Sequence, residues 1–438
     1  MVGRVGVSAR GRNARLLLVW SLMALGAVSP GVALAAAGTS FVALPGSLTT
    51  PRYEAAAALL PGGEVLIAGG DNGKTVVASG DVFDPSTGRF TRLPGSMTTA
   101  RQGAVAAQLP DGDVLIAGGF SGAALLSSAE LFDPSTGVFT ALPGPMTDAR
   151  FGAVAARLPD GDVLIAGGDD GQNVLRTAEL FDPSTGVFTA LPALMTAARD
   201  GAVAAALPDG DVLIAGGFNN SGRVLSSAEV FDPSTGVFTA LRGTMPARRY
   251  GAVAARLRGG DVLIAGGGNA SFVPQSDAEV FDPRTGLFSA SSASMTTPRQ
   301  WAVAAALPSG KVLIAGGSAT AGHLASGFLA SAEMFGRASY LSSVAQVRVI
   351  TCNRSGGSHK ARSRSLCSTR LITVHASLAA AGRAILTRNR AVYASGRMRN
   401  GRLILRGHRW LTRGRYTLTL KQLTNDRWIE SRYRVMVS

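Results

Sequence analysis

The sequence is poor in the residue types that most site chemistry needs. Among 438 residues there are two cysteines, four histidines, four tryptophans and four lysines, against 39 arginines. Two cysteines exclude a disulfide-dense scaffold. Residues 41–338 hold one histidine, His323, two tyrosines, Tyr53 and Tyr250, and no cysteine. A Cys–His nucleophile pair is therefore excluded from that stretch, and one histidine makes no zinc site with the usual ligands. Apolar runs of membrane-spanning length are missing as well. The nearest approach, Leu16–Val28, is too short for a confident span. Arginine in place of lysine, with abundant alanine and glycine, is the usage of a GC-rich bacterial genome.

What is present is one stretch written six times. A Gly-Gly pair closes an apolar run at Gly69-Gly70, Gly118-Gly119, Gly167-Gly168, Gly216-Gly217, Gly266-Gly267 and Gly316-Gly317, with spacings of 49, 49, 49, 50 and 50 residues. A fixed period of this length is the mark of a repeat architecture. In the copy from Met146 to Leu191, GAVAARL and VLIAGG flank a Pro-Asp-Gly-Asp cluster and so form a hairpin, with Gly161 free to take a left-handed conformation. TAELFD then ends in Asp182-Pro183-Ser184-Thr185-Gly186, a turn into VFTAL. Four strands per repeat make a blade of antiparallel sheet, and six blades in a ring make an all-β, six-bladed propeller over residues 41–338. The sixth copy stops at Ser331–Gly336 without its outer strand, while Phe41-Val42-Ala43-Leu44-Pro45-Gly46 matches Phe139-Thr140-Ala141-Leu142-Pro143-Gly144. The N-terminal strand is therefore expected to complete the last blade and close the ring.

The order Arg, apolar strand, Gly-Gly, an acid before an aromatic and Asp-Pro, then Thr-Gly and an aromatic resembles the kelch repeat. The likeness covers residues 41–336 and is closest to the bacterial secreted kind related to the central domain of galactose oxidase. One departure is phenylalanine where the outer strand usually has tryptophan (Phe90, Phe139, Phe188, Phe238, Phe288). The resemblance implies a scaffold whose loops bind something, often a protein or a glycan, and a few relatives are enzymes. A copper radical oxidase needs His and Tyr ligands plus a Cys cross-linked to Tyr, a set that one histidine, two tyrosines and no cysteine do not supply, so no cofactor and no metal are expected.

Most recurring residues have structural readings. The Gly-Gly pairs let blades approach closely. The Asp of each FDP (Asp84, Asp133, Asp182, Asp232, Asp282) caps its own turn. The acid three residues earlier (Asp81, Glu130, Glu179, Glu229, Glu279, Glu333) is an internal partner for a repeated arginine or an amide. The arginines Arg52, Arg101, Arg150, Arg199, Arg249 and Arg299, each 17 residues before a Gly-Gly, have two readings. They either ring the channel mouth as an anion site, or each pairs with an acid of its own blade. Differences between copies point more directly at function. After each arginine stands Tyr53, Gln102, Phe151, Asp200, Tyr250 or Gln300, and Trp301 replaces the following glycine in the sixth copy. After each Gly-Gly stands Asp71, Phe120, Asp169, Phe218, Gly268 or Ser318. Both sets should fall on one face, where mixed aromatics and acids suit a protein or glycan ligand. Tyr53, Phe151, Asp200, Tyr250 and Trp301 are thus candidate binding residues. Asp200 with Asp169 is the pair that an enzymatic reading, a carbohydrate-active one, would use.

The two ends differ from the repeats. Arg4, Arg10, Arg12 and Arg15, the apolar core and Ala33–Ala37 read as a signal peptide over residues 1–37, with an uncleaved anchor as the alternative. No further span is expected in the mature protein, which is read as secreted or held at a bacterial cell surface. Residues 41–338 carry a net charge of −7, whereas residues 339–438 carry 20 basic and two acidic residues, a net +18. The latter alternate apolar with polar or basic positions, a small β-sandwich pattern, and GRYTLTL resembles bacterial Ig-like modules. Cys352 and Cys367 lie here. They are expected to pair in an oxidising compartment, with zinc binding alongside His359 as the alternative. In an exported protein such a basic module points to an anionic surface polymer rather than nucleic acid. Taken together, the sequence predicts an exported, non-catalytic binding or adhesion protein.

Overall fold

The structure, a computed structural model, describes residues 39–321 and 325–337 and seven strands between Val344 and Val437. Residues 1–37, read above as a signal peptide, lie outside the described residues, as do His323, His359 and most of the loop between the cysteines.

Each repeat folds as a four-stranded antiparallel sheet. In blade 3 the strands run from the axis outward as Val154–Arg157, Val163–Ala166, Ala178–Asp182 and Val187–Ala190. The second strand is VLIA in all six blades, and none of its residues is more than 2 % exposed in any of them. Such a continuous apolar run is what burial on both sheet faces demands. Alternation divides it between two interfaces. Val212 and Ile214 of blade 4 pack on blade 3, while Leu213 and Ala215 pack on blade 5. Among the described residues the propeller's apolar core is accordingly six clusters, one between each pair of neighbouring blades.

Closure follows the expected route. Thr39–Ser47 pairs antiparallel with Ser331–Arg337, giving the last blade the order Thr39–Ser47, Ser331–Arg337, Val312–Ala315, Val303–Ala306. Phe41 stands 4.7 Å from Phe335 between ring centres, the spacing of Phe132 and Phe139 in blade 2. The N-terminal strand thus supplies the missing outer aromatic as well as the missing edge.

The Gly-Gly pairs act where blades meet. Both glycines have positive φ, and a Cβ on Gly118 would lie 2.5 Å from the carbonyl oxygen of Arg150 in the next blade. The second glycine donates its N–H to that same carbonyl (Gly119 to Arg150, 2.7 Å), and Gly317 to Arg52 (2.8 Å) completes the circuit. A side chain here would push two blades apart.

The strands of the C-terminal segment join in one seven-stranded sheet. Its hairpin Val344–Asn353 with Leu366–His375 has a register that sets Cys352 opposite Cys367. Among the described residues the only helical turn is Ala325–Gly327, and no helix is long and apolar enough to cross a membrane.

Candidate binding face

The six arginines are at most 1 % exposed and bonded within their own blades. Arg199 shows the pattern. Its Nε donates to Glu229 Oε1 (2.6 Å), its Nη1 to the carbonyls of Gly216 (2.8 Å) and Ser227 (2.9 Å), and its Nη2 to Ser227 Oγ (3.1 Å). Glu229 Oε2 in turn accepts the Thr196 N–H at 2.6 Å. Arg101, Arg150, Arg249 and Arg299 reach Glu130, Glu179, Glu279 and Glu333 in the same way. Buried charges require this degree of pairing. Arg52, Arg101, Arg150, Arg199, Arg249 and Arg299 therefore tie the second and third strands to the loop before the first. They present no ring of free cations to the channel.

Two of the six copies depart from the pattern, and each departure leaves an orphan. Blade 1 has Asp81 in place of glutamate. The shorter side chain reaches Arg52 Nη2 at 3.3 Å, but Arg52 Nε has no partner. In blade 5, Pro246 occupies the position of Thr196 and has no N–H to give, and Glu279 Oε2 is left unbonded.

Both sets of variable residues lie together on one face, joined by backbone bridges. Tyr53 pairs with Asp71, Gln102 with Phe120, Phe151 with Asp169, Tyr250 with Gly268 and Gln300 with Ser318. Asp200 pairs with Phe218 as the end of a longer ladder. The next residue of each blade forms a closed ring on the axis. Gly103 donates its N–H to the carbonyl of Glu54, Gly152 to Gly103, Gly201 to Gly152, Gly251 to Gly201, Trp301 to Gly251 and Glu54 to Trp301, at 2.6–3.1 Å. Six such strands spaced about 4.8 Å apart make a ring roughly 10 Å across. Below it the alanines and valines of the inner strands line a cavity of about 170 Å³.

All six ring residues have φ between 54° and 63°. Four are glycine, for which this costs nothing, whereas Glu54 and Trp301 hold a left-handed conformation that strains an L side chain. The absence of side chains on the glycines makes room for their neighbours. The Trp301 indole covers Gly201 and Gly251, and the Phe151 ring covers Gly103. Trp301 meets Phe151 at 6.2 Å and Tyr250 at 6.1 Å between ring centres. Tyr250 also meets Phe218 and Phe272, and Tyr53 stacks on Phe328 at 4.7 Å. The centre of the face is an aromatic platform.

Two carboxyls sit within this platform. Glu54 is 4 % and Asp200 3 % exposed, and they come from blades 1 and 4, opposite one another in a ring of six. Asp200 Oδ1 occupies the space that a Cβ on Gly152 of the axial ring would need. Glu54 Oε2, Asp200 Oδ1 and Gln102 Oε1 are buried without a hydrogen-bond partner. Burial, reinforced by Asp169, pushes the Asp200 carboxyl up to about 8. Burial, then Asp200 and Asp71, push Glu54 well above the carboxylate range, against a lowering hydrogen bond with Tyr53. Tyr250 is pushed up to about 12 by burial and by Glu54. Asp71 and Asp169 each spend one oxygen on a local turn, accepting the N–H of Gly73 and Gly171.

The structure thus brings Tyr53, Phe151, Asp200, Tyr250 and Trp301 together at the centre of one face and removes the arginines from it. The residue that sequence reading missed is Glu54. Its signal was available, since it occupies the repeat position filled by Gly103, Gly152, Gly201 and Gly251. Among the described residues, no group of three or more His, Cys, Asp or Glu is arranged to hold a metal ion.

No curated protein matches the chain. Four stretches, residues 52–97, 104–146, 151–195 and 202–243, match the Kelch motif. They are blades 1 to 4, and the remaining two blades repeat their strands, Gly-Gly pairs and arginine–acid ties. The chain carries kelch motifs in a six-bladed β-propeller.

Proposed function

We propose that this chain is an exported, non-catalytic binding or adhesion protein whose kelch propeller docks a protein through the face centred on Trp301. A kelch propeller is a protein-binding scaffold, and the observation that carries the reading is where the copies disagree. Residues shared by all six blades build the ring, whereas the divergent ones gather at one mouth as buried and half-buried aromatics and acids. Aromatic clusters of this kind act as interface anchors.

Attachment tests the reading. The full chain, its Phe151→Ala/Trp301→Ala variant and an Asp160→Asn/Asp209→Asn variant at the far ends of the strands are applied to surfaces coated with envelope protein or with wall polysaccharide. Attachment to protein should fall tenfold or more in the aromatic variant only. Equal attachment by all three would sink the reading, and selective attachment to polysaccharide would replace protein by glycan as the ligand.

The C-terminal strands are the proposed tether. With a net charge of +18 over residues 339–438, that segment suits an anionic cell-surface polymer, bound as a small Ig-like sandwich. Retention of the full chain on envelope material should weaken steeply with added salt. The opposed register of Cys352 and Cys367 supports a disulfide there, worth about 3 kcal/mol for a loop of this size. Thiol titration of the unfolded, unreduced chain should find no free cysteine, and two would refute the bond.

A second reading keeps Asp200 as a general acid, because its elevated protonation range suits proton transfer near neutral pH. Turnover of a glycoside panel that disappears in Asp200→Asn would establish that carbohydrate-active role in place of simple binding.

A further inference from the structure

We propose that the centre of this face receives a single basic side chain, lysine or arginine, from the docked protein. The inference rests on the protein-binding reading above and specifies its partner chemistry. Four acids surround the mouth: Glu54 and Asp71 in blade 1, Asp169 in blade 3 and Asp200 in blade 4. The six repeated arginines are bonded within their blades to other acids. Elsewhere on the face, Arg176 donates to the Met195 carbonyl and Arg248 to the Val224 carbonyl, while Lys74 and Arg223 stand exposed on the loops of blades 1 and 4. Of the other acids of these loops, Asp148 and Asp277 are already paired with Arg150 and Arg249, and Asp170 accepts the N–H groups of Gln172 and Asn173.

What the centre has, once its carboxyls ionise, is acceptors. Glu54 Oε2, Asp200 Oδ1 and Gln102 Oε1 are all oxygens, all buried and all unbonded, and they come from three blades around one ring. Buried acceptors without donors are costly, and an incoming donor recovers that cost on binding. An ammonium or guanidinium supplies several donors at once together with the opposite charge. The walls suit the same group. Trp301, Tyr250 and Phe151 offer ring faces around the mouth, and cations are attracted to such faces within about 6 Å. The aliphatic stem of lysine or arginine would lie against the half-buried Trp301 and Phe151 rings while its head reaches the acids. A metal ion fits less well, because the described residues offer no three-ligand cluster. A neutral sugar would bring no positive charge to favour the ionised forms of Glu54 and Asp200.

The strain at the same ring position agrees with this assignment. Glu54 and Trp301, one carrying a carboxyl and the other the broadest ring face, are the two ring residues that are not glycine. Strained conformations persist where the surrounding structure imposes them, and often where a function uses them.

Full-length protein carrying 5-fluorotryptophan provides the test, with the Trp301 resonance identified by Trp301→Phe. The probes are Nα-acetyl-lysine amide, Nα-acetyl-arginine amide and the neutral Nα,Nε-diacetyl-lysine amide. The charged probes should shift the Trp301 signal saturably, and the neutral probe should bind at least tenfold more weakly. Glu54→Gln and Asp200→Asn should each weaken the charged probes fivefold or more, and the double variant should abolish the response with its thermal transition intact. An equal response to the neutral probe, or unchanged affinity in the double variant, overturns the inference. So does saturation by calcium or by a neutral oligosaccharide. Panning a random twelve-residue peptide library on the full chain separates this inference from the wider reading. Selected peptides with a basic residue, lost on Glu54→Gln/Asp200→Asn, support both. Peptides without one that are lost only on Trp301→Ala overturn the basic anchor and keep protein docking. Peptides indifferent to Trp301→Ala overturn both.

Discussion

The blade interiors and the axial mouth both bury ionisable groups, and they treat them in opposite ways. Inside the blades six arginines, none more than 1 % exposed, each meet an acid and the carbonyls of the neighbouring strands. At the mouth Glu54 and Asp200 are nearly as buried, yet each keeps an oxygen without a partner and each is pushed toward its neutral form. The difference teaches that burial alone does not mark a functional charge. A buried charge repeated in every copy and fully paired is part of the scaffold. A buried charge found in one copy and left unpaired has been kept at a cost to stability, which is the usual cost of a site.

The comparison breaks most visibly when a paired charge loses its partner. Glu229→Ala leaves Arg199 with an uncompensated guanidinium in a fully buried position and also deprives the Thr196 N–H of its acceptor. Removing one member of a buried pair costs about 3–5 kcal/mol. Chemical denaturation of the full chain should show a loss of this size. A cost below about 1 kcal/mol, the level of an exposed ion pair, would mean that these networks are solvated and the contrast is unfounded.

At the mouth the same kind of deletion should have the opposite sign. In the folded state burial pushes the Asp200 carboxyl up to about 8, whereas in the unfolded chain it returns to its ordinary value of 3.8. Between those limits the folded state holds more protons than the unfolded state, so its stability falls as pH rises from about 4 to about 8. Asp200→Asn removes that term. It should raise stability by up to about 5 kcal/mol at pH 8 and change little at pH 4. Thermal melts of both proteins across this range decide the matter. A gain independent of pH would show that packing, not charge, is responsible. Binding should run the other way, since a cation prefers the ionised carboxyl. Wild-type affinity for Nα-acetyl-lysine amide should therefore increase as pH rises through 8, and a flat profile would remove Asp200 from the contact.

The same contrast explains what could be read from the residues alone. Six copies of one pattern are six statements of the same constraint, so strands, turns, Gly-Gly junctions and the arginine–acid partnership are all legible before any coordinates. The missing outer strand of the sixth copy even leads to Phe41 and its place beside Phe335. The site is legible only as a departure from the pattern. Trp301 and Asp200 stand out because their neighbours in the repeat are so regular. Glu54 is hidden by position, since it lies in the first copy, directly after a tyrosine that draws attention to itself. The meeting of residues from blades 1, 3, 4, 5 and 6 at one point depends on closure of the ring, which brings together positions up to 248 residues apart, from Tyr53 to Trp301. No local pattern carries that information.

The smallest expected effects lie in the two blades whose pairing is incomplete, and there the repeat provides its own control. In five blades the glutamate reaches the arginine Nε, at 3.2, 2.9, 2.6, 2.9 and 3.2 Å. In blade 1 the shorter Asp81 does not, and its oxygens accept the N–H and hydroxyl of Thr49 instead. Asp81→Glu adds the one methylene that the other copies have. It should return a bond to Arg52 Nε while keeping the Thr49 N–H, as Glu130 keeps that of Thr98. Pro246→Thr likewise restores an N–H for the orphaned Glu279 Oε2. Each change should stabilise the full chain by about 1 kcal/mol, the net worth of a hydrogen bond regained in a buried site. The two sites lie in different blades and share no partner, so the gains should add. Denaturant midpoints that rise in the double variant by the sum of the single ones would extend the rule drawn from the other blades to these two. If Asp81→Glu instead lowers the midpoint, blade 1 is packed around aspartate, and its departure from the repeat belongs with the features of the mouth that begins two residues after Arg52.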